Sequence, residues 1–362
     1  MNITLKLKLQ TNKEQEQKLF ETMEVFNEAC NYVSETGWTE HITDQINLHK
    51  LCYYDIREKF NLSSQMAIRV IGKVSDSYKT DKKHPHKFKS HSAITYDQRI
   101  WKFKQADTIN IKTLINRIDI PFVFGEYREL DQRRVRGQAD LVYRDGIFYF
   151  YICVDIPEPP IGRPKDIIGI DMGVVNLLVD SDGETFTGNK VNSLRNRHNR
   201  LRKKLQKKGT KSAKRLLKKR SKKERRFAHD TNHVISKKIV EKAKRTDSGI
   251  AIENLNGIRS RIRVKKANRS QHSNWSFFDL RQKIEYKAKL AGIPVIPVDP
   301  RYTSQMCSQC GYISKSNRPN QSTFSCKSCG FSCNADINAA INIGRRAIVN
   351  LPYAVSVEAK AS

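Results

Sequence analysis

Two cysteine pairs constrain this chain more than any other feature. Cys307-Ser-Gln-Cys310-Gly311 and Cys326-Lys-Ser-Cys329-Gly330 repeat one pattern, with 15 residues between the pairs. A Cys-x2-Cys turn presents two thiolates at tetrahedral spacing, and the glycine after each pair permits the tight backbone. Four thiolates close the shell of one Zn²⁺, so the site reads as structural, with no ligand position left open for chemistry. Cys333, a fifth cysteine in the same stretch, reads as a packed thiol, as do the scattered Cys30, Cys52 and Cys153. The opening Met1–Gln10 lacks an apolar signal core, and no run of 18 apolar residues occurs. Clustered cysteines in such a chain point to metal rather than disulfides, and to a cytoplasmic, membrane-free setting.

Ahead of the ribbon the hydrophobic period changes. Ile3, Leu5, Leu7 and Leu9 alternate with polar residues, as in a half-buried strand. Thr11 and Glu14 carry a capping-box signal, and Leu19, Met23, Phe26, Cys30 and Val33 then recur at helical spacing until Gly37. Two further helices are predicted over 47–60 and 63–78, with Met66, Val70, Ile71 and Val74 buried on the second. From about Lys87 the period becomes two. Strands are predicted at 93–96, 100–103, 108–113, 117–120, 139–143 and 147–154, the last two joined by an Asp145-Gly146 turn. That describes a small antiparallel barrel or sandwich which the first strand can join, with three helices inserted. Pro157, Pro159, Pro160 and Pro164 mark a linker, so a second domain is predicted to begin near Lys165. It reads strand, strand, long helices, strand, helix, strand, ribbon, helix. An amphipathic helix covers 277–290, and Trp275, Phe277 and Phe278 read as core anchors.

Three acids stand where this pattern matters. Asp171 follows the apolar run Ile-Ile-Gly-Ile, and Glu253 follows Ile-Ala-Ile, so each ends a buried strand. Asp336 opens a predicted helix just after the ribbon. Singly, each is better explained as a turn or helix-dipole residue. Together they can hold two Mg²⁺ ions (or Mn²⁺ in vitro) about 4 Å apart, an arrangement that hydrolyses phosphodiesters, since Mg²⁺ prefers hard oxygen ligands.

The partner is indicated by charge. The chain carries a formal +30, and residues 190–245 alone hold 24 Lys/Arg against 3 Asp/Glu, or +21. So few acids leave the cations for phosphates. Candidate nucleic-acid contacts are Arg195, Arg197, Arg200, Arg202, Lys203, Lys204, Lys207, Lys208, Lys211, Lys214, Arg215, Lys218, Lys219 and Arg220. Arg259, Arg261 and Arg263 continue the basic run just past Glu253. His229 and His233 sit one turn apart on a basic helix and read as structural or phosphate-contacting.

The sequence resembles the TnpB family, transposon-encoded RNA-guided nucleases related to compact type V CRISPR effectors. The resemblance rests on Ile-Gly-Ile-Asp171-Met-Gly-Val, on Ile-Ala-Ile-Glu253-Asn-Leu-Asn-Gly-Ile, on Asp299-Pro-Arg301-Tyr302-Thr303-Ser304-Gln-Met-Cys307, and on Cys-Asn-Ala-Asp336-Ile-Asn-Ala-Ala. It implies a multidomain α+β chain: a wedge-like β-barrel at 1–10 and 84–164 with a helical recognition insertion at 11–83, then an RNase H/RuvC-like α/β nuclease domain at 165–302 and 334–350. A zinc ribbon at 303–333 interrupts the nuclease domain, and 351–362 is a tail. It also implies a guide RNA from the transposon end, a double-stranded DNA target beside a short motif, and Asp171, Glu253 and Asp336 as the catalytic acids. A monomer is expected rather than a dimer. Rival readings are an RNA-guided repressor that does not cut, a strand-transferring transposase, and a dimeric junction resolvase that acts without RNA.

Overall fold

The structure, a computed structural model, describes residues 1–123, 134–254 and 277–358. It divides into two compact units, Met1–Pro157 and Glu158–Ser362.

In the first unit, strand β1 (Asn2–Leu9) buries Leu5, Leu7 and Leu9, as its alternation requires. Helices α1 (Lys13–Thr39), α2 (Gln45–Phe60) and α3 (Ser64–Thr80) follow. The cap of α1 is Asn12, one residue past the expected Thr11. Its side chain accepts the Gln15 N–H, while the Gln15 side chain accepts the Asn12 N–H. The helix also continues through Gly37 to Thr39. Strands β2 (Ile94–Asp97), β3 (Trp101–Gln105), β4 (Thr108–Lys112), β5 (Arg117–Val123), β6 (Val135–Arg144) and β7 (Ile147–Asp155) join β1 in the order β2-β6-β7-β1-β5-β4-β3. The two end strands are consecutive in the chain, only three residues apart, so this sheet must curl to bring its edges together. One core, including Phe26, Val70, Tyr96, Phe148 and Phe150, fills it and buries the inner faces of α1 and α3.

The second unit is built on strands β8 (Asp166–Asp171), β9 (Asn176–Asp180), β10 (Thr185–Thr187), β11 (Ser248–Glu253) and β12 (Val295–Val298), ordered β10-β9-β8-β11-β12. Strands β8, β11 and β12 run parallel, and β9 runs against β8. Parallel strands are covered on both faces, which is why β8 and β11 read as unbroken apolar runs. On one face lie α5 (Lys211–Arg245) and α6 (Phe277–Leu290), meeting Ile168, Ile170, Ile250 and Ile252. On the other lies α7 (Ala335–Glu358), whose Ile343 and Ala347 pack on Ile167, Ala251, Ile296 and Val298.

The crossing of α7 over β8 is unusually close. A Cβ on Gly169 would stand 2.0 Å from the Ala340 carbonyl oxygen and 2.4 Å from the Gly344 nitrogen, so no other residue fits. The basic segment forms α4 (Asn189–Lys208) and α5, joined at Gly209. Phe277 packs against the core, whereas Phe278 is 63% exposed and anchors nothing; Trp275 lies outside the described residues.

Candidate active site and metal centre

Strand periodicity aims the acids. Along β8, Ile167 and Gly169 face α7, so Asp171 does too; along β11, Ala251 faces α7, so Glu253 does too. The two strands are parallel neighbours, Ile170 lying beside Ile252, so both carboxylates leave the same sheet end. Asp336 comes from the first turn of α7, where the Asn334 side chain caps the helix by accepting the Asp336 and Ile337 N–H groups. Three elements thus deliver three carboxylates to one place.

Their charges interact. Burial, then repulsion from Glu253 and Asp336, pushes Asp171 up to about 7; Arg318 and the Met172 N–H oppose this only in part. Burial also raises Glu253, against the hydrogen bond from Thr303 and the charge of Arg346. Thr303 Oγ1 donates to Glu253 Oε1 at 2.6 Å. Asn176 Nδ2 donates to Asp336 Oδ2 at 2.9 Å, and the Arg318 guanidinium stands 3.4 Å from its other oxygen. Such a cluster holds more negative charge than its surroundings balance, and its hard oxygens suit a divalent cation.

The four cysteines converge as their spacing predicts. Their sulfurs all lie within 4.8 Å of one another, with Cys307 and Cys329 3.7 Å apart and Cys310 and Cys326 3.6 Å apart. Four sulfurs at about 2.3 Å from one Zn²⁺ would stand about 3.8 Å apart, so the cage fits. Gly311 and Gly330 have φ of +78° and +75°, the conformation each knuckle needs. The Cys329 and Ser328 N–H groups point at the Cys326 sulfur and hold its thiol down at about 6. The Phe331 N–H pulls Cys329 the same way, but burial and the three other sulfurs push it up to about 12. Cys333 lies outside this cage, on a short strand β14 (Ser332–Asn334) paired with β13 (Thr323–Ser325).

The basic helices require one correction. Arg195 is 5% exposed and buried against the α4–α5 seam, where it senses Glu224, so its guanidinium is not displayed to a phosphate. Arg202 is half-buried and pairs with Glu224 at 3.0 Å; Arg220 is half-buried beside them. One acid therefore draws several cations inward. Arg197, Arg200, Lys203, Lys204, Lys207, Lys208, Lys211, Lys214, Arg215, Lys218 and Lys219 are exposed. Arg259, Arg261 and Arg263 lie outside the described residues. The His229 and His233 rings lie 4.5 Å apart, tilted by 59°, and burial with Lys283 and Lys287 nearby holds His233 at about 4, hence neutral.

Thr303, Asn176 and Arg318 support the carboxylates, and sequence reading assigned them no role. Asn176 and Thr303 lie 160 and 50 residues from their acids and Arg318 lies 18 from its own; only Thr303 stood in a block that the resemblance marked, without a role. Arg301 instead pairs with Asp299 at 2.9 Å.

Comparison with known proteins places this geometry. Over 206 residues the chain is 30% identical to a TnpB-like protein of Methanocaldococcus jannaschii, covering 53% of this chain and 73% of that relative. The chain belongs to the TnpB family. Two family models match this TnpB-family chain: "Probable transposase" over residues 151–258, which contain Asp171 and Glu253, and "Cas12f1-like, TNB domain" over 277–343, which contain the cysteines and Asp336. The chain is also 47% identical over 118 residues to the CRISPR-associated endodeoxyribonuclease Cas12f1 of Sulfoacidibacillus thermotolerans. That match covers 32% of this chain and only 26% of the relative. Among solved structures, the mini-RNA-guided endonuclease CRISPR-Cas phi3 superposes with a TM-score of 0.58 at 10% identity, covering 96% of this TnpB-family chain and 92% of that one, a likeness of fold alone.

Proposed function

We propose that the chain is an RNA-guided, metal-dependent DNA endonuclease whose cutting site is Asp171, Glu253 and Asp336. The observation that carries this reading is the convergence of three carboxylates, from the neighbouring ends of β8 and β11 and from the first turn of α7, close enough to raise Asp171. Excess negative charge of that kind is costly unless a cation is meant to arrive. Bound by these three residues, two Mg²⁺ ions would activate a water and stabilise the leaving oxygen. The chain's own residues hold the site in order. Thr303 fixes Glu253, and Asn176 fixes Asp336. Arg318 leaves positive charge beside a phosphate that would sit there.

The sheet order, with parallel β8, β11 and β12 and antiparallel β9, supports an RNase H/RuvC-like nuclease domain at 165–302 and 334–350. In the same reading, 303–333 is a Zn²⁺ ribbon, 1–10 and 84–164 a wedge-like barrel, and 11–83 a recognition insertion. Guide RNA and DNA are the anions that answer +30. Base pairing would read the target, leaving the protein to supply shape and charge.

The relatives named as endodeoxyribonucleases favour hydrolysis, while the "Probable transposase" model favours strand transfer. The carboxylate chemistry is common to both. The deciding experiment sequences the RNA that co-purifies, builds a plasmid matching its variable end, and compares wild type with Asp171→Ala. RNA-dependent cutting by the wild type alone is expected. Bound but uncut plasmid with both proteins would make the chain a repressor, and joined strand-transfer products would make it a transposase.

A further inference from the structure

The support of Glu253 extends further than one hydrogen bond. Thr303 is 3% exposed, and its hydroxyl has one proton with two acceptors in reach, Glu253 Oε1 at 2.6 Å and the Pro300 carbonyl at 3.0 Å. The nearer, ionisable acceptor takes it, since charge-assisted bonds are about twice as strong as neutral ones. The Thr303 carbonyl in turn accepts from Asn342 Nδ2 at 2.9 Å, and the same amide reaches the Met306 carbonyl at 2.7 Å. One turn earlier on α7, Asn338 donates to the Met306 carbonyl at 2.8 Å and accepts the Ser308 N–H at 2.9 Å. Both asparagines are fully buried.

Met306 and Ser308 flank Cys307. The segment 303–308 therefore runs from a hydrogen bond on one carboxylate to a sulfur of the cysteine cage. Along that path it is fastened to the helix that presents Asp336. An apolar contact would dock the ribbon as well; it would not orient a carboxylate oxygen. Asn338 uses both its donor and its acceptor, and Asn342 spends its amide donor on two carbonyls while its own oxygen has no partner; donors chained in this way specify position.

We propose that Thr303 is a positioning residue for the cation site, and that Asn342 and Asn338 make its position depend on the folded cysteine ribbon. This rests on the carboxylate reading above. The terminal torsion of a glutamate is soft. Thr303 stops it by engaging one oxygen, which leaves the other for the cation. The ribbon is then a part of the cutting site as well as a neighbour of it.

The test uses the full chain with its co-purified RNA and Mn²⁺ as probe, free Mn²⁺ being read by electron paramagnetic resonance. Ions at the carboxylates are counted as the difference from Asp171→Asn, which removes the RNA background. Thr303→Val should weaken that binding about tenfold, the usual cost of losing an outer-shell partner, with zinc content and melting temperature unchanged. Thr303→Ser should restore it. Asn342→Asp keeps the shape but loses the amide donor, and should weaken it too. Extracting zinc should weaken Mn²⁺ binding in the wild type yet add nothing in Thr303→Val. Wild-type affinity in both Thr303→Val and Asn342→Asp would overturn the relay, as would equal effects of zinc removal in wild type and Thr303→Val. If wild type and Asp171→Asn take up Mn²⁺ alike, the carboxylate reading falls, and the relay with it.

Discussion

Burial and two neighbouring acids make Asp171 costly to ionise. Its folded value of about 7 lies above the ordinary 3.8, so the folded chain holds this proton more tightly than the unfolded one does. The contribution is fully present below about pH 4 and is lost as pH rises through about 7. In magnesium-free buffer, stability should therefore fall between pH 5 and 8 by roughly 1 to 4 kcal/mol from this group. Asp171→Asn should flatten that slope and leave the metal-free protein more stable at pH 8, while abolishing cutting. Urea titrations of both proteins at pH 5, 6, 7 and 8 would check it; parallel curves would mean that the acids do not repel one another. The same residue shows what could be read in advance. Asp171 and Glu253 were legible as acids that close apolar runs, Ile-Ile-Gly-Ile and Ile-Ala-Ile, and so stand at strand ends. Arg195 was misread because composition says nothing of Glu224, a single acid 29 positions on that draws it inward. Thr303 stood in a block that carries the resemblance, but its role could not be read, its partner lying 50 residues away.

Two elements carry predictions of their own. Where α7 crosses β8, a methyl on Gly169 would meet the α7 backbone at both Ala340 and Gly344, so only separation of helix and sheet could admit it. Gly169→Ala should cost several kcal/mol, at or beyond the usual overpacking range of about 1–3 kcal/mol. Gly344→Ala meets its nearest atoms at 3.2 Å and should cost less. Thermal melts of the two variants rank them; equal melting temperatures would contradict the close crossing. In the ribbon, Cys307→Ser or Cys326→Ser should lose the bound zinc and melt earlier, as metal analysis beside a melt would show. Full zinc content in the Cys307→Ser, Cys326→Ser double variant would refute the cage. Element types followed well from period, as in β1, α3 and β8, because tertiary packing there agrees with local pattern. Boundaries did not. Thr11 and Asn12 are both good caps, and only the reciprocal Gln15 bond chooses between them.

For the whole molecule the governing quantity is +30. Binding of the co-purified RNA should weaken steeply with salt, since each neutralised phosphate releases condensed counterions. Replacing Lys203, Lys204 and Lys207 with Gln should lower the slope of log affinity against log salt by about 2 to 3, because all three are exposed. Arg195→Gln should leave the slope alone and instead destabilise the α4–α5 seam. A flat salt response in the wild type would remove the phosphate role from residues 190–245. Among the described residues no helix is long and apolar enough to cross a membrane.

The crossing of α7 over β8 also sets a clock. Asp171 and Asp336 are 165 residues apart in the chain, and α7 cannot seat Gly344 on Gly169 until both have left the ribosome. At about 5–20 residues per second, synthesis of that interval takes roughly 8 to 33 s. During it β8, joined by β11 from about halfway, exists without the helix that brings Asp336 to it. The whole basic segment of a nascent chain thus emerges before the third carboxylate does.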